Sequence, residues 1–131
     1  MPIADATART HPAPSRGPVH TAESTHAHLT GIGVTDVTLT GGLWSDRCAA
    51  NREHGIVALG DRLEEHGVVE NFRRLVDPTL GSREDLWYTD SDLYKWLEAA
   101  AWSLGTHPGA ALEERVDRVI DAVVAAQASD G

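Results

Sequence analysis

Residues 90–98 read Asp-Ser-Asp-Leu-Tyr-Lys-Trp-Leu-Glu, and this stretch decides the fold of the chain. Its apolar residues, and those that follow, recur at helical spacing. They form one face that consists of Leu93, Trp96, Leu97, Ala100 and Leu104. Thr89 and Asp92 are spaced as in a capping box in which Asp replaces Glu, so a helix is predicted to begin here and to end before Gly105 and Pro108.

The helix after Thr89 is apolar over most of its circumference. Tyr94, Ala101 and Trp102 extend the apolar surface beyond the main face. A helix of this kind is normally buried on several sides. We therefore expect it to be an inner helix that needs neighbours.

Two further helices are predicted. The first covers residues 46–66, with Ser45 as N-cap, Gly67 as the residue that ends it, and one apolar face. That face consists of Cys48, Ile56, Leu59 and Leu63. The second covers residues 110–127 and is amphipathic. Its apolar residues are Leu112, Val116, Val119, Ile120, Val123 and Val124.

The rest of the chain is predicted to contain little regular structure. Residues 32–40 are rich in β-branched side chains and favour a short strand, followed by a turn at Gly41-Gly42. Residues 68–88 read as a long connection, and residues 1–30 as a disordered leader without a hydrophobic period. Residues 31–131 are thus expected to form one mainly α-helical domain.

Charge and composition exclude several classes of protein. The net charge is −9, all of it in residues 31–131, so binding to nucleic acid is not expected. No apolar run reaches the ~18 residues that span a bilayer, and no secretory signal is recognisable, so a cytoplasmic protein without membrane contact is predicted. The single cysteine, Cys48, excludes a disulfide or a multi-cysteine metal site within the chain.

The acidic residues of the 90–98 stretch allow more than one interpretation. Asp92, Lys95 and Glu98 follow one another along the helix, as a row of ion pairs or as a polar strip lining a sugar pocket. Asp90 and Asp92 are capping residues or, alternatively, two ligands of a metal ion. Two carboxylates on one helix do not make a glycosidase, because catalysis needs them across a cleft.

Aromatic, cysteine and histidine residues also carry alternatives. Most aromatics at helical spacing pack in a core, but a carbohydrate-stacking platform is the alternative for this set. The set is Trp87, Tyr88, Tyr94, Trp96 and Trp102. Cys48 is interpreted as a buried thiol rather than a nucleophile. His20, His26 and His28 are interpreted as polar residues of the leader rather than metal ligands.

Several segments of residues 37–131 share features with a known family. They are residues 37–44, Arg47, residues 67–72, residues 90–99 and residues 126–131. In these segments and in their order, the chain resembles glycoside hydrolase family 127, the β-L-arabinofuranosidase family. The segment at residues 90–99, from Asp-Ser-Asp to Glu-Ala, is the most specific of them.

The resemblance implies a long multidomain enzyme with an α/α barrel and β-sandwich domains that hydrolyses terminal arabinofuranosides with retention. It also implies a cysteine nucleophile, a glutamate acid/base and a zinc ion held by cysteines and a glutamate. All of these lie beyond Gly131 in the family pattern, and Cys48 does not match the nucleophile's motif. No catalytic residue, metal ligand or cofactor is therefore expected in this chain.

The sequence thus predicts a fragment of such an enzyme, inactive by itself. It would comprise the first helices of the barrel and a short N-terminal β segment. Asn71, Asp90 and Asp92 are the candidates for contact with a carbohydrate, which would be bound only in the complete enzyme, with a second polypeptide as one way of completing the barrel. The alternative is a small helical module that docks on a partner protein and has no enzymatic activity.

Overall fold

The computed structural model describes residue 21, residues 24–29 and residues 31–129. The chain divides into two units, Met1–Thr38 and Leu39–Gly131. Most of the predicted leader, residues 1–30, lies outside the described residues, and so does His20.

The strand predicted for residues 32–40 is not confirmed. Val34–Asp36 forms a turn of 3₁₀ helix instead, in which the Gly33 N–H donates to the Asp36 carboxylate at 3.2 Å. A strand needs a neighbouring strand for its backbone N–H and C=O groups, and no residue among those described forms one. Within the 3₁₀ turn, the Asp36 N–H donates to the nearby Gly33 carbonyl at 3.0 Å, so these backbone groups are paired without a second strand.

The first long helical stretch of the second unit runs from Gly42 to Glu65 in three parts. They are α1 (Gly42–Ala50), a π-helical turn (Asn51–Gly55) and α2 (Ile56–Glu65). The predicted N-cap at Ser45 is wrong, because the helix already begins at Gly42, whose φ of 79° suits glycine. The predicted end is confirmed: Gly67 is left-handed, with a φ of 69°, and its N–H donates to the Glu64 carbonyl at 3.0 Å.

The π-helical turn changes which face of α1 is aligned with α2. Each residue of an α-helix turns the chain by about 100°, and a π turn takes up one extra residue. Ile56 and Leu63 are buried as predicted, but Leu59 is half exposed and Cys48 is exposed. The prediction that Cys48 is a buried thiol is therefore wrong.

Residues 68–88 contain a helix, α3 (Val68–Val76), so the prediction of a connection without regular structure is wrong. Val68, Val69 and Phe72 are buried on one side of it. A 3₁₀ turn, Pro78–Leu80, and several bends then lead to the next helix. Burial of this short apolar face stabilises α3, since a nine-residue helix is marginal by its own propensity.

The helix predicted from residues 90–98 is confirmed as α4 (Asp90–Thr106). Its capping box is not: Thr89 has helical backbone angles, and its hydroxyl donates to the Leu86 carbonyl at 3.0 Å rather than accepting from the helix. Asp90 and Asp92 lie in the first turn, where their negative charges interact favourably with the positive end of the helix dipole and stabilise the helix. The helix continues past Gly105 by one residue.

The last predicted helix is confirmed as α5 (Ala110–Ala126). It packs against α3 and α4, and α2 packs against α3 and α4. The shared core consists of Ile56, Leu63, Val68, Val69, Phe72, Leu93, Trp96, Ala100, Val116, Val119 and Ala122. The second unit is therefore helical throughout its regular structure, and the mainly α-helical fold class is confirmed for the described residues.

Trp96 lies at the centre of this core. Its indole N–H donates to the Ile56 carbonyl at 2.8 Å, a buried bond that joins α4 to α2. The Arg115 guanidinium of α5 lies 5.6 Å from the centre of the indole and pairs with Asp61 of α2 at 2.7 Å. One tryptophan thus ties three helices together and fixes the direction of α4.

Candidate functional site

Asn71 joins α3 to the segment that precedes α4. Its side chain is 5% exposed, and its amide N–H donates to the Glu84 carbonyl at 2.9 Å. The Glu84 N–H donates to the Asn71 amide oxygen, also at 2.9 Å. The side chain therefore pairs with one residue of backbone through both its donor and its acceptor, which satisfies the polar groups that burial would otherwise leave unpaired.

Arg74, one turn later on α3, reinforces this contact. Its guanidinium donates to the Asn71 amide oxygen at 2.9 Å and pairs with the Glu84 carboxylate at 3.1 Å. Its Nε also donates to the Leu80 carbonyl at 3.3 Å. The Arg74 side chain is only 11% exposed, whereas the Glu84 side chain is 65% exposed, so the bond to Asn71 is better shielded from water than the ion pair.

Arg83 holds the start of α4. It pairs with the Asp90 carboxylate at 2.9 Å and donates to the carbonyls of Leu86 at 3.1 Å and Trp87 at 3.3 Å. The same guanidinium lies 3.4 Å from the Thr89 hydroxyl. One side chain thus fixes both the acidic first turn of α4 and the backbone immediately before it.

These residues surround an open cavity of about 450 Å³. Its lining combines apolar and polar side chains of α3 with polar groups of the following segment and of the first turn of α4. The lining residues are Asn71, Phe72, Arg74, Leu75, Gly81, Ser82, Arg83 and Asp90. A cavity of this size and mixed lining is within the range of small-molecule sites.

The structure brings together two of the three residues predicted to contact a carbohydrate. Asn71 and Asp90 line the cavity, but Asp92 does not and pairs with Lys95 at 3.1 Å. The Asp92–Lys95 pair is one of the ion pairs predicted along this helix, whereas Glu98 lies 3.5 Å from the indole nitrogen of Trp102. Asp92 is therefore explained by a surface ion pair.

Sequence reasoning missed the two arginines of the cavity. Arg74 and Arg83 carry no helical or strand period that marks them, and their partners are brought close only by the packing of α3 against the segment before α4. One available signal is that each arginine precedes an acidic residue of opposite charge. Arg83 precedes Asp90, and Arg74 precedes Glu84, in a stretch predicted to be a connection.

The aromatic residues separate into core and surface. Trp96 is buried, and Tyr94 is half exposed with its ring edge-on to Phe72 at 6.1 Å between centroids. Trp102 is also partly exposed. Trp87 and Tyr88 are exposed and contact each other edge-to-face at 5.5 Å.

The residues of this chain do not fit the zinc site that the resemblance implies. That site needs several cysteines, and the chain has Cys48 alone. Within the described ranges, no three His, Cys, Asp or Glu side chains lie close enough to hold a metal ion. The alternative of a metal ion at Asp90 and Asp92 is not supported either, because both carboxylates are already paired with cations. Asp90 pairs with Arg83, and Asp92 pairs with Lys95.

Asp77, which follows α3 directly, has a lowered pKa. Its carboxylate accepts hydrogen bonds from the Thr79 hydroxyl at 2.6 Å and from the Thr79 N–H at 2.9 Å. These bonds, the hydroxyl first, lower the pKa of Asp77 below its usual 3.8. The Asp77 carboxylate thus caps the Pro78–Leu80 turn, whose Leu80 carbonyl accepts from Arg74.

No helix within the described ranges is long and apolar enough to cross a membrane. No solved structure matches the chain.

A curated relative covers part of the chain. It is the non-reducing end β-L-arabinofuranosidase of Bifidobacterium longum subsp. longum, which is 50% identical over 44 residues. The match covers 34% of this chain and 7% of the relative, so the chain corresponds to a small part of that enzyme's length.

A family model also matches the chain, over residues 36–131. Its description is "Beta-L-arabinofuranosidase, GH127 catalytic domain". The matched range contains α1 to α5, the cavity and the whole of the 90–98 stretch. Since the match extends over most of the sequence, the chain belongs to the glycoside hydrolase family 127 β-L-arabinofuranosidase catalytic-domain family.

Proposed function

We propose that this chain supplies the first helices of an α/α barrel in a β-L-arabinofuranosidase-type glycoside hydrolase. The observation that carries the proposal is the family match over residues 36–131. Within that range, Asp90 in the first turn of α4 lines the cavity. The exposed side of α4 supports it as well. Tyr94 and Trp102 are apolar, partly open and suited to contact neighbouring barrel helices.

Within this proposal, the cavity forms part of the sugar-binding wall of the complete enzyme. Asp90 offers a carboxylate and Ser82 a hydroxyl, both of which hydrogen-bond sugar hydroxyls. Asn71 acts indirectly, because its amide is already paired with Glu84 and holds the wall in place. Asp92 is the remaining candidate and would contact a sugar only if its pair with Lys95 opened.

We also propose that the 131-residue chain does not cleave glycosides by itself. The resemblance implies a cysteine nucleophile together with zinc-binding cysteines, and the chain holds one cysteine outside the nucleophile's motif. That cysteine, Cys48, lies on α1 and is not among the residues that line the cavity. Hydrolysis would therefore depend on residues supplied by further sequence or by a second polypeptide.

The test is hydrolysis of an aryl β-L-arabinofuranoside by the purified chain, with zinc and a reducing agent present. We expect no release of the aryl group above the buffer rate, whereas the Bifidobacterium enzyme serves as positive control. Release that rises in proportion to the concentration of the chain and disappears in Asp90→Asn or Cys48→Ser would contradict the proposal. Those two variants separate activity of this chain from a contaminating glycosidase.

Two finer parts of the proposal concern the N-terminal segment and the location of the protein. Val37 has extended backbone angles, φ −119° and ψ 127°, and we propose that residues 37–40 join a β-sheet in the complete enzyme. Protection of their amides from hydrogen exchange only in the complete enzyme would support this. The cytoplasmic location expected from the sequence is tested by fractionation of cells.

The exposed apolar residues also favour a second candidate, a helical module that docks on a partner protein. Trp44 and Leu75 are each 71% exposed, and such surfaces mark interaction sites when they are contiguous. A module that functions alone would be monodisperse and melt cooperatively. A set of barrel helices would associate and melt broadly, so thermal melting with light scattering distinguishes the two functions.

A further inference from the structure

Two aromatic side chains are exposed in the segment between Arg83, which lines the cavity, and the start of α4. Trp87 is 81% exposed and Tyr88 is 49% exposed, although tryptophan is one of the side chains that gain most from burial. Their rings meet edge-to-face, with an interplanar angle of 86°. Such a contact covers at most one face of one ring, so an open indole or phenol face remains available.

The backbone that carries these rings is held by side chains on both sides. Arg83 donates to the carbonyls of Leu86 and Trp87, and the Thr89 hydroxyl donates to the Leu86 carbonyl. Asp85 adopts a φ of 67°, a left-handed conformation for a non-glycine residue, and its carboxylate accepts from the Leu86 N–H at 2.8 Å. A ligand that contacts these rings therefore meets a surface whose backbone is already ordered, which reduces the entropy lost on binding.

The charged residues of the cavity determine which class of ligand can bind there. Its two arginines are each paired, Arg74 with Glu84 at 3.1 Å and Arg83 with Asp90 at 2.9 Å, so the cluster has no net charge. An anion would gain no net attraction here, and an apolar helix would bury two ion pairs. A neutral ligand with many hydroxyl groups suits both the paired charges and the free lone pairs of the carboxylates.

We propose that Trp87 and Tyr88 form a stacking subsite for a neutral sugar ring. The C–H face of the sugar lies against an aromatic face, and its hydroxyls reach toward Asp90 and Ser82 in the cavity. Arg83 connects the two parts, since it lines the cavity and also holds the Trp87 carbonyl. This inference rests on the proposed function, because it concerns the same carbohydrate-facing wall. It adds that the chain alone holds a sugar weakly, which differs from the expectation that a sugar is bound only in the complete enzyme.

The experiment is saturation-transfer NMR of the 131-residue chain with methyl arabinofuranoside. We expect transfer to the ring C–H protons of the sugar, and a two- to tenfold weaker affinity in Trp87→Ala, the range expected for one aromatic contact. Trp87→Phe, which keeps a ring, should retain much of the binding. Trp44→Ala is the matched control, because Trp44 is also exposed but lies on α1.

Equal binding by wild type and Trp87→Ala overturns the proposal, as does equal weakening by Trp87→Ala and Trp44→Ala. Lack of transfer from the wild-type chain up to the solubility limit of the sugar also overturns it, as does displacement of the sugar by inorganic phosphate. Circular dichroism of each variant verifies the fold, which an exposed ring should not affect. This experiment measures sugar binding, whereas the test of the proposed function measures release of an aryl group. A negative result here is therefore distinct from a finding that the chain hydrolyses the glycoside.

Discussion

At the scale of single residues, Gly60 of α2 lies directly against side chains of α4 and α5. A Cβ atom there would lie 3.0 Å from two carbons of the Trp96 indole and 2.9 Å from the guanidinium carbon of Arg115. Arg115 can move, because it is the far end of a flexible side chain. Trp96 cannot move freely, because its N–H is bound to the Ile56 carbonyl in the core.

Gly60→Ala is therefore expected to lower the free energy of unfolding by about 1–3 kcal/mol, the usual cost of overpacking. Urea denaturation followed by circular dichroism measures this. Gly105→Ala is the matched control, since Gly105 is also helical and no atom lies within 4 Å of its added Cβ. That control should be neutral or more stable by about 0.5–1 kcal/mol, because alanine favours a helix. Equal effects of the two substitutions would contradict the described packing.

At the scale of elements, the segment between α3 and α4 is ordered by side chains rather than by backbone ladders. Asn71 and Arg74 of α3 reach across to Glu84, and Arg83 reaches forward to Asp90. The path of the chain into α4 therefore depends on a small number of polar contacts. Loss of one contact should loosen the cavity wall before it affects the helical core.

Asn71→Ala should lower the free energy of unfolding by about 1–3 kcal/mol, because it leaves the Glu84 N–H without its partner. The specific readout is hydrogen exchange of the Glu84 amide, which should lose its protection while amides in α5 keep theirs. Asn51→Ala, at an exposed asparagine of the π-helical turn, is the control and should change stability by no more than about 0.5 kcal/mol. Unchanged exchange at Glu84 would show that Asn71 does not hold the segment.

The elements that the sequence predicts best are the long ones. α4 and α5 each repeat their apolar pattern over several turns, so their ends were predicted to within a few residues. α3 is short and lies in a stretch predicted to be a connection, although Val69, Phe72 and Val76 stand three and four residues apart, which is helical spacing. The start of α1 was misplaced because Ser45 has the residue type of a cap, while the glycine backbone at Gly42 determines the actual start.

The candidate site could be predicted only in part, because most of it depends on contacts between distant segments. Asp90 and Asn71 belong to segments that carry the family resemblance, and both line the cavity. Arg74 acquires its role only when α3 packs beside Glu84, thirteen residues after Asn71. No local pattern in the sequence specifies that approach.

At the scale of the whole molecule, charge opposes the association that the exposed apolar surface favours. The net charge is −9 at pH 7 and falls to zero near pH 5.1. Repulsion between copies of the chain therefore weakens as pH falls through this range. Apolar residues on the open sides of α4 and α5, including Trp102, Ile120 and Val124, can then bring copies together.

Light scattering should therefore rise as pH is lowered from 7 toward 5, and less steeply at high salt, because salt already screens the repulsion at pH 7. The variant Val124→Lys places a positive charge on the exposed side of α5 and should reduce scattering at pH 5. Ala125→Lys adds the same charge at the adjacent exposed position and is the control. If both variants lower scattering equally, charge alone accounts for the association and the apolar surface does not.

The π-helical turn at Asn51–Gly55 has a consequence for the length of the chain. A wide turn accommodates one residue more than an α-helix of the same rise, so deletion of one residue there should leave a regular helix. α2 would keep its core contacts, and α1 would keep its orientation around their common axis, because the π turn takes up the residue that is removed. Since no residue of α1 is buried, such a deletion would cost little packing. Members of the family could thus differ by one residue at this position and still share the same core.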